Sequence, residues 1–229
     1  MDGSVNPIQL PELVLFDFDG TLADSYPAIT ASVNHTRAIH GLPPVSKDEV
    51  KRFVGRGPEH LLGNMVPGVE YSAAYAIYKA HHPGVLAEGT VLLCGVEEFL
   101  GQLKKQGVPL GICSNKPRAF TEELVKCLKL GDTFAMILGP EDVPRRKPAP
   151  DMLIEAMKRS GLSRDRVLYI GDMSVDVQTA RGAGITVWAV ATGSETYEEI
   201  LSSGPDQLFG SMKELQDRLN SHGFVSNTK

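Results

Sequence analysis

Short apolar runs that stop at acidic, hydroxyl or glycine residues recur along the chain. Leu13-Val14-Leu15-Phe16 ends at Asp17, Val108 to Cys113 at Ser114, and Phe134 to Leu138 at Gly139-Pro140. Val167 to Ile170 ends at Gly171-Asp172, and Thr186 to Val190 near Gly193. Continuous apolar runs this short predict strands buried on both faces of a parallel sheet. A weaker run, Gln207 to Phe209, predicts an edge strand. Helical spacing separates the runs. Val96, Phe99, Leu100 and Leu103 share one face, as do Phe120, Leu124, Cys127 and Leu128, and Met152, Leu153, Ala156 and Met157. Strands alternating with helices imply βαβ units, hence an α/β fold with a doubly wound parallel sheet. Such sheets bind ligands at the carboxyl ends of their strands.

From Asp24 to about Val91 the alternation breaks. This stretch carries helical patterns and no convincing strand. One helix is expected near Asp24-Ser25, with Pro27 in its first turn. Another is expected at Ser46, where Ser-Lys-Asp-Glu49 matches a capping box. Two more are expected over 58–65 and 72–82, with Gly41-Leu42-Pro43-Pro44, Pro67-Gly68 and Pro83-Gly84 as punctuation. The pattern predicts an inserted α-helical cap over 23–91, with residues 1–22 and 92–229 forming the sheet domain.

Composition narrows the partners. The 229 residues are 42% hydrophobic, enough for an ordinary core, and the formal net charge is -5. That charge argues against nucleic acid, which is held mainly by Lys and Arg clusters; Arg145-Arg146-Lys147 is the longest basic run. Cys94, Cys113 and Cys127 are odd in number and irregularly spaced, which predicts buried thiols in a reducing compartment. No apolar run approaches the roughly 18 to 20 residues that span a bilayer, and no signal-peptide pattern opens the chain. A soluble, cytoplasmic protein with no membrane partner is expected, as monomer or homodimer.

Four sites carry chemistry. Asp17-Phe18-Asp19-Gly20-Thr21 follows the first strand. As an ordinary turn it would need only Gly20. Two carboxylates at i and i+2 on a strand point to one face, and paired carboxylates attract a hard cation. Ser114-Asn115-Lys116-Pro117 has the form of a helix start, with Ser at the N-cap, and a helix N-terminus is also a phosphate site. Lys147-Pro148-Ala149-Pro150 is either a solvated basic loop or the source of a neutralising cation. Gly171-Asp172-Met173-Ser174-Val175-Asp176 places two carboxylates four apart; Asp172 has the form of an N-cap, and like charges so spaced repel unless a cation intervenes.

These motifs, in this order, resemble the haloacid dehalogenase-like (HAD) superfamily, in the form found in phosphoglycolate phosphatase-like members. The resemblance runs from about Leu13 to Gly193 and implies a Rossmann-like core with an inserted cap. It implies Asp17 as nucleophile, Asp19 as general acid and then base, and Ser114 as phosphoryl ligand with Asn115 beside it. It makes Lys147 the cation that holds Asp17. Mg²⁺ would be bound by Asp17, the backbone carbonyl of Asp19 and Asp172, with Asp176 in the second shell or bound through water. The implied activity is hydrolysis of a small phosphorylated metabolite, with phosphoglycolate favoured.

In the cap, the Gly55-Arg56-Gly57 turn can approach a ligand closely. Arg56 is the candidate to hold a substrate carboxylate, against the alternative of an exposed Arg, and His60 is a weaker candidate. His81-His82 lacks partners at zinc spacing. The alternatives are a hexose phosphomutase resembling β-phosphoglucomutase, a pyrophosphatase, and a regulatory protein that keeps the fold without turnover. Thr21 leans toward hydrolysis over the mutase, and the full set of motif residues argues against loss of catalysis.

Overall fold

A computed structural model describes residues 8–9, 11–222 and 224–225. Its ten strands are β1 (Ile8–Gln9), β2 (Leu13–Phe16), β3 (Ala23–Asp24), β4 (Val91–Leu92), β5 (Leu110–Cys113), β6 (Met136–Leu138), β7 (Val167–Gly171), β8 (Thr186–Val190), β9 (Gln207–Phe209) and β10 (Phe224–Val225). Six form one sheet in the order β6-β5-β2-β7-β8-β9, and every neighbouring pair is parallel. The five apolar runs are its interior and one edge, and the weaker run is β9 at the other edge. Val14 and Phe16 of β2 face one hydrophobic cluster while Leu13 and Leu15 face another. Burial on both faces explains why β2 is uniformly apolar rather than alternating.

The chain leaves β2 toward β5 on one side and later returns to place β7 on the other. The reversal beside β2 opens a crevice at the carboxyl ends. Asp17, Ser114 and Asp172 are the residues that directly follow β2, β5 and β7.

The described residues also form ten α-helices: α1 (Tyr26–Ile39), α2 (Lys47–Lys51), α3 (Pro58–Met65), α4 (Tyr71–His81), α5 (Val96–Lys105), α6 (Arg118–Cys127), α7 (Asp151–Ser160), α8 (Ser174–Ala183), α9 (Tyr197–Ser202) and α10 (Met212–His222). The first four lie where the sequence predicts helices, and the Ser46–Glu49 capping box forms at α2. Arg37 of α1 ties them together by donating to Pro43 O and Met65 O. Their apolar faces join the buried cluster that also holds Phe16, Phe99 and Leu110.

Three expectations are revised. The 24–91 stretch is not without strands: β3 and β4 pair antiparallel at its two ends, Ala23 with Leu92 and Asp24 with Val91. Strands of two residues are too short to show a period. All three cysteines are free, but only Cys113 is buried; Cys94 and Cys127 are exposed. The inward face of α6 is Phe120, Thr121, Leu124 and Val125, and Cys127 at its last turn falls off that face. Among the described residues no helix is long and apolar enough to cross a membrane.

Candidate active site at the sheet switch point

Asp17, Asp19, Ser114, Asn115, Lys147, Asp172 and Asp176 converge in the crevice, and all are buried. Ser114 is not at a helix N-cap. Helix α6 begins only at Arg118, because Pro117 disfavours helical geometry at Lys116 and keeps 114–117 as a loop. Asp172 also lies one residue before the N-cap of α8, which is Met173. Both side chains are thereby released from capping to face the crevice.

Lys147 is the electrostatic hub. Its Nζ lies 3.0 Å from Asp17 Oδ1 and 2.7 Å from Asp176 Oδ1, and it donates to the Tyr169 hydroxyl at 2.9 Å. Burial opposes its charge, but Asp17 and Asp176 more than offset that, so its ammonium is held protonated above the usual lysine range. Asn115 fixes this lysine's backbone. Its Oδ1 accepts from Lys147 N at 3.0 Å, and its Nδ2 donates to Lys147 O at 3.1 Å and to Gly55 O at 3.0 Å. Both amide hydrogens are thus committed to holding the lysine loop and the cap turn.

Asp176 is saturated. Oδ1 accepts from Lys147 and from Tyr169 Oη at 3.0 Å, while Oδ2 accepts from the amides of Asp172 and Met173 at 3.1 Å each. Asp172 differs. Its Oδ1 accepts from Thr21 Oγ1 at 2.6 Å, but Oδ2 accepts no hydrogen bond; nor does Asp17 Oδ1, whose contact with Lys147 is an ion pair off hydrogen-bond direction. Burial pushes Asp17 up to about 6 against the pull of Lys147, with Asp176 adding to the rise. Burial, then Asp176 and Asp17, raise Asp172 well above the usual carboxylate range.

Among the described residues, Asp17, Asp172 and Asp176 can bring ligand atoms within 4.8 Å of one another. Three carboxylates against one ammonium leave an excess of negative charge. Asp172 Oδ2 has no partner, and Asp17 Oδ1 has the Lys147 ion pair but no hydrogen bond, so the donor set fits a hard divalent cation between the two carboxylates. Asp176, with four donors already, supports them instead. Glycines shape the cradle: a Cβ at Gly193 would lie 1.7 Å from Asp172 Oδ2, and one at Gly20 would lie 2.4 Å from it.

Ser25 Oγ and Lys116 Nζ donate to Asp19, the latter at 3.1 and 3.2 Å. Asp17, Asp19, Ser114, Asn115 and Lys116 line a cavity whose remaining wall includes Ile29, Val54, Leu61, Tyr78 and Phe120. Arg56 does not line it. Gly55 and Gly57 both have left-handed φ, and the turn is seated against Met173; the exposed Arg56 opens onto a second cavity, lined also by His60, Arg146, Gln178 and Lys147. His60 is held below the usual histidine range by partial burial and by Arg56 and Arg146. Sequence reasoning missed Thr21, Ser25, Lys116, Tyr169 and Gly193. Two of them, Thr21 and Lys116, lie within the quoted motifs, but their partners are remote in sequence.

A profile of the haloacid dehalogenase-like hydrolases matches residues 14–190. The chain belongs to that family. The phosphoglycolate phosphatase of Pseudomonas fluorescens (strain Pf0-1) is 32% identical over 217 residues, covering 91% of this chain and 80% of that protein. The Escherichia coli (strain K12) phosphoglycolate phosphatase is 29% identical over 226 residues, covering 88% and 90%. A crystal structure of a haloacid dehalogenase-like hydrolase from Bacteroides fragilis superposes with a TM-score of 0.83 at 31% identity, covering 90% of this chain and 99% of that one. Within the family the Rossmann-like core is accounted for by the six-stranded sheet.

Proposed function

We propose that the protein is a Mg²⁺-dependent phosphomonoester hydrolase that works through an aspartyl-phosphate on Asp17, with phosphoglycolate as its substrate and residues 23–91 as its cap. The observation that carries this is the buried Asp172 Oδ2, which has no hydrogen-bond partner, set close to Asp17, whose Oδ1 pairs with the Lys147 ammonium at 3.0 Å. Bound there, Mg²⁺ would neutralise the carboxylates and the incoming phosphate together. Asp17 attacks phosphorus and the ester P–O bond breaks. Asp19 gives its proton to the departing alkoxide oxygen, then takes one from the water that displaces Asp17 and releases inorganic phosphate. Lys147 and the Ser114 hydroxyl stabilise charge on the transferring oxygens.

The names of the relatives support phosphoglycolate. The largely apolar wall of Ile29, Val54, Leu61 and Phe120 supports a small leaving group and offers few partners for the hydroxyls of a hexose, which weighs against the phosphomutase. The test is phosphate release from a panel of phosphorylated metabolites with Mg²⁺ and with excess EDTA. Mg²⁺-dependent turnover with the highest kcat/KM for phosphoglycolate is expected. Full activity in EDTA with no residual metal would remove the cation from the mechanism.

A further inference from the structure

One buried ammonium in the cavity has no part in the chemistry above. The Lys116 side chain is 4% exposed, and two of its three N–H donors go to the two oxygens of Asp19. It is the sole cation among the residues lining that cavity. Lys147 approaches from the other side and is fully engaged by Asp17, Asp176 and Tyr169. Asp19 does not depend on Lys116 alone, because Ser25 Oγ also donates to it. His82 is close enough to feel Lys116, and burial and then Lys116 hold it neutral, pushed down to about 2. It offers Lys116 no negative charge.

We infer that Lys116 is the specificity-determining residue, and that its ammonium binds the carboxylate of a short phosphorylated hydroxy acid. The inference rests on the phosphatase reading and names what selects the substrate within it. Distances support a short acid. A leaving oxygen hydrogen-bonded to Asp19 lies about 3 Å from it, and Lys116 is 3.1 Å from the same carboxylate, so the ammonium sits within about 6 Å of the leaving oxygen. A carboxylate one carbon removed from the ester oxygen falls between them. The wall is largely apolar, and a low-dielectric setting strengthens a single charge pair compared with one at the surface. Arg56, exposed on a different cavity, lacks both features.

The test compares 2-phosphoglycolate with ethyl phosphate, which keeps the two-carbon stem and lacks the carboxylate, using the full chain with Mg²⁺. In Lys116→Met the preference for phosphoglycolate, taken as the ratio of kcat/KM values, should fall about 10- to 100-fold, the scale of one charge-assisted contact. Lys116→Arg should recover part of that ratio, which also covers the case in which the Met variant fails to fold. Arg56→Ala is measured alongside. Equal losses for both esters would make Lys116 a support for Asp19 and overturn the inference. So would an unchanged ratio, or a selective loss in Arg56→Ala. If the wild type hydrolyses neither ester nor any other in the panel, the phosphatase reading falls and the inference with it.

Discussion

Gly193→Ala isolates the role of Asp172 without touching a charged group. An added Cβ would lie 1.7 Å from Asp172 Oδ2 and 2.7 Å from its Cγ, where carbon and oxygen atoms normally stay about 3.5 Å apart. The backbone at Gly193 is not left-handed, so alanine itself is unstrained there. The loop cannot easily retreat. Thr192 Oγ1 donates to Gly20 O at 2.5 Å, and Glu195 accepts from Ser174 N and Oγ at 2.6 and 2.7 Å. The carboxylate must therefore swing aside by roughly 1.5 Å, carrying its unpartnered Oδ2 away from its position. Misplacement by about 1 Å at a reacting centre costs on the order of 10²-fold in rate, so kcat/KM should fall at least that far. The Mg²⁺ concentration for half activity should rise as well. Steady-state hydrolysis across a Mg²⁺ titration measures both, with circular dichroism confirming the fold. A folded variant with wild-type kcat/KM and Mg²⁺ dependence would refute the assignment of Asp172 Oδ2 to the cation.

Asp17→Asn should reduce kcat by about 10⁴- to 10⁶-fold, the scale seen when a nucleophile is removed, with little change in Tm; sustained turnover after deamidation is excluded would contradict the assignment. His82 predicts acid sensitivity of the fold. Burial first, then Lys116 and His81, hold it at about 2, against about 6.5 when unfolded, so the unfolded chain binds the extra proton. Its contribution is complete above pH 6.5 and lost as pH falls below it, by about 2 kcal/mol at pH 5. Urea midpoints for the wild type and His82→Phe over pH 5 to 8 check this, and parallel profiles for the two would count against it.

The sheet was legible because a strand buried on both faces must be uniformly apolar and must stop where the chain turns. That rule marked Leu13–Phe16 and Val167–Ile170, and with them Asp17 and Asp172. Short-range geometry failed where the partner is remote. Nothing local tells that Thr21 meets Asp172, 151 positions on, or that Lys116 meets Asp19, 97 positions back. The helix-start reading of Ser114 failed because a serine before Lys-Pro has the composition of an N-cap, whereas Pro117 delays the helix to Arg118. Arg56 was misdirected by its setting. Glycines on both sides do bring the turn against the core, but their left-handed geometry, seated on Met173, leaves the arginine on the outer side.

The spacing of Asp172 and Asp176 held more information than either residue alone. Two carboxylates so close require compensation, and the structure divides it unequally. Asp176 takes the protein's own cation, Lys147, together with Tyr169 and two backbone amides. Asp172 takes only the Thr21 hydroxyl. If both acids had been satisfied internally, the site would be an inert ion-pair network of the kind that also perturbs pKa values without function. By committing Lys147 to Asp17 and Asp176, the fold leaves Asp172 with a deficit of positive charge beside it at the switch point. That deficit is what an exchangeable cation and a phosphate ester together can fill, and it explains why a stabilising rearrangement that completed the protein's own pairing would abolish the site.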